Sequence, residues 1–388
     1  MSAAVEILRK LVAIPSVSSM SNRAVMDVAL GYLDANYWTF REYPHRDAAG
    51  TEKINLVAVT KGARASEVEL ALVCHTDTVP FDPAWKEAVH PATRNGRVYG
   101  RGSADVKGFL ACILAAVGET ELKNLAKPLA VILTADEEVG CVGAKLLARE
   151  NAFHARYMLI GEPTGMRPIR AGKGYALAEI VVRGREAHSA FPAKGHSAIF
   201  DAARIVTRLE KLAQKIVARK NRTFDPPYTT LNVGLISGGT AKNIVAGECS
   251  ITVEWRPIPG QDPEWVAGLI REALKGIDAR LDVKRLDPPF EPSPTSELAE
   301  LLESLTGNRA ATVSFGTEAA HLRSVTGEAV VFGPGDMTTA HKTGEFVPVA
   351  ELNRCVRQLR ELIKRMCGSQ SKSSPRKSSI KSGPAMRG

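Results

Sequence analysis

Five short segments of this 388-residue chain concentrate histidine and carboxylate side chains. LVCHTDTVP carries His75 and Asp77, YGRGSADVKG carries Asp105, LTADEEVG carries Asp136, Glu137 and Glu138, IGEPTG carries Glu162, and GDMTTAHKTGE carries His341. Any one of them alone is an ordinary loop residue or a satisfied core group. Together, two histidines and at least three carboxylates form the mixed nitrogen and oxygen donor set that zinc accepts, with enough ligands for two ions sharing one bridge. Three adjacent acids beside an apolar core are costly unless cations offset their charge. An Asp two residues after a metal-bound His can hydrogen-bond the far ring nitrogen and fix its tautomer, the part open to Asp77 beside His75. Ions held in this way act as Lewis acids on a bound water and a carbonyl.

The elements that must position these groups are legible in the apolar periodicity. Residues 54–60 (INLVAVT), 68–74 (VELALVC), 129–134 (LAVILT) and 157–160 (YMLI) are short aliphatic runs, apolar on both faces, and read as buried, mostly parallel strands. Helical spacing falls between them at 104–118 and 140–149, the alternation of an α/β layered sheet. Four of the five segments follow predicted strand ends and the fifth precedes a helix, where open α/β sheets place their ligands. From about Arg170 the pattern changes: 175–183, 229–236 and 249–255 alternate with period two, and 196–220 and 262–276 are helical. This predicts a smaller α+β domain with one exposed sheet face. Helical spacing resumes at 297–307 and 350–366, with 329–333 as another core strand, so the smaller domain is an insertion. AGKGY and RLDPPFEPSP are the expected hinges. The expected division is 1–171 with 287–367 for the main domain, 172–286 for the insertion and 368–388 for a disordered basic tail.

Composition narrows the class. No run approaches the roughly 18 uncharged apolar residues of a membrane span, and the amphipathic start MSAAVEILRKLVAIPSV lacks the pattern of a secretory signal, so a cytoplasmic protein is expected. The six cysteines show no paired CxxC spacing and read as reduced core thiols. Of the net charge of +9, five units come from Lys372, Arg376, Lys377, Lys381 and Arg387 in the polar tail, leaving +4 of interspersed charge. That argues against nucleic acid as a partner of the body; a basic arm binding through the tail stays open.

The series HTDTVP, GRGSADVKG, TADEEVG, IGEPT and AHKTGE, in this order and spacing, resembles the di-zinc aminoacylase and carboxypeptidase superfamily, and within it the acetylornithine deacetylase and succinyl-diaminopimelate desuccinylase branch. The likeness runs from about residue 3 to residue 366. It implies an α/β zinc domain interrupted by a lid domain that also mediates homodimer formation. It makes Asp105 the bridging carboxylate, joined to Val106 by a cis peptide, with His75 and Glu162 completing one zinc site and Glu138 and His341 the other. Asp77 would orient His75, and Glu137, beside a ligand but not one itself, would be the general acid and base. Cobalt suits the same ligands. An amide is a poor electrophile with a poor leaving group, so the chemistry needs an activated water, a polarised carbonyl and a proton donor, which metal ions and one free carboxylate supply.

In the inserted domain the resemblance gives His188 (GREAHSA) a part in the partner subunit's site, as oxyanion stabiliser, and makes Asn243 (GGTAKNIVAG) and Arg256 (ITVEWRPIPG) contacts for a substrate carboxylate. The SFGTEAAHL loop with Glu318 and the FDPPYTTLNVG stretch fit the deacetylase branch, which implies N2-acetyl-L-ornithine as substrate and arginine biosynthesis as setting, with Glu318 receiving the cationic side chain. A desuccinylase, another N-acyl-amino-acid hydrolase or dipeptidase, and a non-catalytic dimeric scaffold remain the alternatives.

Overall fold

The computed structural model of the protein describes residues 2–291, 293 and 295–369; the expected tail from 370 onward, and two prolines of the RLDPPFEPSP hinge, lie outside them. The aliphatic runs form the centre of an eight-stranded sheet, in the order Trp38–Arg46, Glu52–Thr60, Leu129–Thr134, Val68–His75, Ala155–Gly161, Thr326–Phe332, Ile169–Gly172, Ala311–Val313. The four strands from Leu129–Thr134 to Thr326–Phe332 are parallel, while Glu52–Thr60 is antiparallel to both of its neighbours. Successive side chains of a strand face opposite ways. Leu70, Leu72 and Cys74 therefore pack under the helices Ala3–Val12, Lys107–Gly118 and Val349–Cys367, while Ala71 and Val73 pack on the side of Val142–Arg149. The helix at Lys107–Gly118 is buried at nearly every position, because it lies between the sheet and the two other helices. Its buried Lys107 sends Nζ to the carbonyls of Leu11 (3.1 Å) and Ile14 (2.7 Å), satisfying acceptors left over at the end of the first helix.

A second sheet has four antiparallel strands in the order Thr230–Gly238, Glu248–Arg256, Tyr175–Arg183, Ala279–Asp287. Ala176, Ala178, Ile180 and Val182 of the central strand alternate inward against the helices Ala198–Ile216 and Pro263–Leu274. The other face stays half-exposed, as the period-two alternation predicts. Three short strands, Ala92–Arg94, Arg97–Tyr99 and Phe346–Pro348, make a small third sheet. It brings residues 341–345 beside the Asp105 loop, with Gly100 N donating to Glu345 O at 3.1 Å.

Several boundaries differ from the expectation. The helix placed at 140–149 begins at Val142, because Gly140 and Cys141 have positive φ, and the helix placed at 196–220 spans Ala198–Ile216. The strands Trp38–Arg46 and Ala279–Asp287 carry no apolar run; each is an edge strand rich in charged residues, with only part of one face to bury. All six cysteines are buried and free. No helix of the described residues is long and apolar enough to cross a membrane.

Candidate metal centre

Four of the chemistry-bearing segments stand at the carboxyl ends of the parallel strands or at the start of a helix. His75 is the last residue of Val68–His75, Glu162 follows Ala155–Gly161, and Asp136, Glu137 and Glu138 follow Leu129–Thr134. Asp105 lies in the turn before the helix at Lys107–Gly118, and its peptide bond to Val106 is cis. His341 comes from the loop between Thr326–Phe332 and Phe346–Pro348 and has positive φ.

The fold gathers these residues into two sets of possible ligands, each with all its donor atoms within 4.8 Å of one another: His75, Asp105 and Glu162, and Asp105, Glu138 and His341. Asp105 belongs to both. Its Oδ1 is 3.2 Å from His75 Nε2, and its Oδ2 is 3.1 Å from His341 Nε2, which also lies 3.1 Å from Glu138 Oε1. His75, Asp105 and Glu162 are buried, while His341 faces solvent. Burial pushes the Glu162 carboxyl well above its usual range, and the neighbouring Asp105 and Glu137 add to the shift. Burial likewise raises Glu137 to about 8. Hydrogen bonds to Asp105 and Glu138 carry His341 up to about 10. Asp105 moves the other way: burial alone would raise it, but both histidines hold it below the ordinary carboxylate range. Buried acids at this density need positive charge, and each set offers one imidazole and two carboxylates, a donor combination that fits a divalent ion.

The surroundings hold the donors in place. Glu345 is buried, accepts from Ala104 N (2.9 Å) and Asp105 N (3.1 Å), and pairs through Oε2 with Arg101 Nη1 at 2.6 Å. Asp136 pairs with the buried Lys53 at 3.1 Å and with His45 Nε2 at 3.1 Å, anchoring the acid loop at its first residue. Asp77 meets the His75 ring through its main chain. His75 Nδ1 lies 3.1 Å from the Asp77 main-chain oxygen and 3.7 Å from its carboxylate, which accepts from Glu137 N (3.0 Å) and Glu138 N (3.2 Å). Glu137 Oε1 accepts from the Cys141 thiol at 3.4 Å. Glu318 is completely buried behind the cluster; Thr134 Oγ1 donates to its Oε2 at 2.8 Å, and its Oε1 has no partner among the described residues.

Of the remaining candidates, Arg256 ends the strand Glu248–Arg256, while His188 and Asn243 lie in the connections that follow Tyr175–Arg183 and Thr230–Gly238. His188 is exposed, accepts from Ala190 N through Nδ1 at 3.1 Å and bridges to Ile244, next to Asn243, whose carbonyl accepts from Ser189 N at 2.9 Å. Arg256 lies over the Tyr175 ring at 4.7 Å and 3.7 Å from Glu254. Among the described residues, no hydrogen bond or ion pair joins His188, Asn243 or Arg256 to the carboxylate cluster. Sequence reasoning passed over Ser18, which contacts Asp77, and Glu345, although Glu345 closes the very segment that contributes His341. The sequence signal for Glu345 was an acid that the small third sheet carries to the Asp105 loop.

Known proteins resemble this chain over nearly its whole length. A curated protein named acetylornithine deacetylase from Myxococcus xanthus is 46% identical over 371 residues, covering 94% of this chain and 97% of its own length. Another of that name from Proteus mirabilis (strain HI4320) is 33% identical, covering 94% and 96%. The crystal structure of an M20 family metallo-carboxypeptidase from Sulfolobus solfataricus shares the fold, with a TM-score of 0.74 at 18% identity over 94% of this chain and 99% of that one. The profile of peptidase family M20/M25/M40 matches residues 71–365, and with full-length relatives above 30% identity the chain belongs to that family.

Proposed function

We propose that this metal-dependent amide hydrolase removes the acetyl group from N2-acetyl-L-ornithine, giving ornithine and acetate in arginine biosynthesis. The observation that carries the reading is Asp105, shared by two sets of one imidazole and two carboxylates, with Glu137 beside them and outside both. The full-length likeness to acetylornithine deacetylases supplies the substrate.

His75, Asp105 and Glu162 would hold one zinc ion and Asp105, Glu138 and His341 the other, with cobalt an acceptable substitute. Bound there, the ions supply Lewis acidity toward a water and the acetyl carbonyl. Glu137 takes a proton from the attacking water and delivers it to the departing α-nitrogen as the carbon–nitrogen bond breaks, so acid and base are one carboxylate. Its hydrogen bond from Cys141 falls on one oxygen, Oε1, and leaves the other for the water. Arg256 and Asn243 are assigned to the substrate carboxylate, and Glu318 to the cationic end of ornithine; its unpartnered Oε1 supports that part.

Residues 172–286 act as lid and dimerisation domain in this reading, and 1–171 with 287–367 as the catalytic domain. His188 of one subunit would complete the site of its partner by donating to the oxyanion that develops on the acetyl oxygen. The apolar side chains of Phe191, Ile199, Phe200, Leu235 and Ile236, exposed around the smaller sheet's outer strand, support a homodimer formed there. Six free thiols suit the reducing cytoplasm.

The test is amine release from N-acetylornithine, succinyl-diaminopimelate and acetylmethionine by chelated protein with and without added zinc. Zinc-dependent turnover that prefers acetylornithine supports the proposal. Zinc-dependent turnover of another compound moves the substrate within the family, and no turnover of any compound by zinc-loaded protein sinks the assignment.

A further inference from the structure

The segment from Ser16 to Asn22, between the first two helices, runs beneath the loops that carry His75, Asp77 and Glu137. Its Ser16, Ser18 and Asn22 are buried. Ser16 Oγ donates to Thr76 O at 2.8 Å, Ser18 N to Thr78 O at 3.1 Å, and Asn22 Nδ2 to Thr76 Oγ1 at 2.9 Å. Ser18 Oγ donates to Asp77 Oδ2 at 2.7 Å. On its other side the segment meets the buried Lys53, whose Nζ donates to the carbonyls of Ser18 and Met20 and pairs with Asp136 Oδ1. One segment is thus tied both to the loop after Val68–His75 and to the loop after Leu129–Thr134.

The ties converge on Asp77. Its two oxygens accept from the Ser18 hydroxyl and from the amides of Glu137 and Glu138, while His75 Nδ1 is served by the main-chain oxygen of Asp77. Three donors on a buried carboxylate leave it one orientation, because hydrogen bonds to an ionised acceptor are about twice as strong as neutral ones. Removing the hydroxyl takes one of the three donors from the Asp77 carboxylate and loosens its hold on the Glu137 and Glu138 amides.

We propose that Ser18 is a positioning residue: through Asp77 it fixes the turn carrying Glu137 and Glu138, and so governs the Asp105, Glu138 and His341 ligand set rather than the set containing His75. This rests on the two-ion reading of the preceding subsection. Loss of the hydroxyl slackens one ligand set and spares the other, because the His75 ring is held by a main-chain carbonyl that does not depend on the Asp77 rotamer. Ser18→Thr keeps a hydroxyl at the same carbon and preserves both.

The experiment titrates metal-free wild type, Ser18→Ala and Ser18→Thr with Co²⁺, following its visible absorption, with His341→Ala marking the second site. The expected result for Ser18→Ala is a second site weakened about 10–100-fold, the range for losing a partner of a metal ligand. Its first site should stay unchanged, kcat should fall at constant KM, and Ser18→Thr should restore each value. Equal weakening of both sites, weakening of the first alone, no change, or failure of Ser18→Thr to rescue would each overturn the proposal. A wild type that binds fewer than two ions overturns the two-ion reading instead. Hydrogen exchange at residues 137–138 then decides on Ser18. Exchange about tenfold faster in Ser18→Ala and restored in Ser18→Thr upholds its hold on the turn, and unchanged exchange refutes it.

Discussion

Glu137 and Glu138 are adjacent and chemically alike, yet the fold gives them different surroundings. Glu138 lies 3.1 Å from His341 within a ligand set, whereas Glu137 belongs to neither set and meets a thiol. Glu137→Gln keeps the volume and removes the proton acceptor, so kcat should fall by about 10²–10⁴ while the metal content stays at the wild-type value. Unchanged turnover would move the base elsewhere. Glu318 poses a different test. Burial pushes its carboxyl up to about 7, the direction in which desolvation moves a carboxylate, and a cation beside it would bring it down. Glu318→Gln should reduce the preference for acetylornithine over acetylmethionine, in the ratio of kcat/KM, by about tenfold or more. If the ratio holds, Glu318 has another task.

At the scale of elements, the joint between the two large sheets is held by charged groups around Asp287. Asp287, the last residue of Ala279–Asp287, accepts from Lys145 Nζ at 2.7 Å in the helix Val142–Arg149, meets His321 Nε2 at 3.0 Å and pairs with Arg285. Burial alone would raise its carboxyl, but these three partners hold it well below the ordinary range. A depressed folded-state pKa gives stability that is complete above the unfolded value of about 3.9 and is lost as pH falls through the lower folded value. Asp287→Asn should therefore cost about 1–3 kcal/mol at pH 7, from charges left without a partner. Its deficit relative to wild type should shrink as the pH drops below about 4. Thermal melts of both proteins from pH 7 to pH 3 check this, and a deficit independent of pH would mean that the ion pairs contribute nothing.

At the scale of the molecule, the cluster stands at the strand ends of the large sheet while His188 lies in the connection after Tyr175–Arg183, and no hydrogen bond or ion pair joins them among the described residues. A homodimer that exchanges His188 across its interface has a distinctive signature. Mixed and reassociated subunits of His188→Ala and Glu137→Gln, each nearly inactive alone, should recover about a quarter of wild-type activity, since half of the dimers formed would be mixed and each of those would hold one intact site. A recovery of zero would place His188 outside the partner's site. Phe200→Glu with Leu235→Glu, two side chains each 70% exposed, should yield a monomer by light scattering.

The sequence by itself determined the donor types and their places at strand ends, because aliphatic runs bounded by polar turns are local signals. It also determined the layered architecture and the inserted smaller sheet, since a change from buried runs to period-two alternation records whether one sheet face or both are covered. The charged edge strands Trp38–Arg46 and Ala279–Asp287 carried no such signal. Only the tertiary structure decided that the donor atoms of both sets come within 4.8 Å of one another, that Asp77 turns to the Glu137 and Glu138 amides, and that Ser18 and Glu345 meet Asp77 and the Asp105 loop. These depend on pairs far apart along the chain, 59 residues from Ser18 to Asp77 and 241 from Ala104 to Glu345. Periodicity records that a side chain is buried, but the partner it meets there is fixed only when the sheets are assembled.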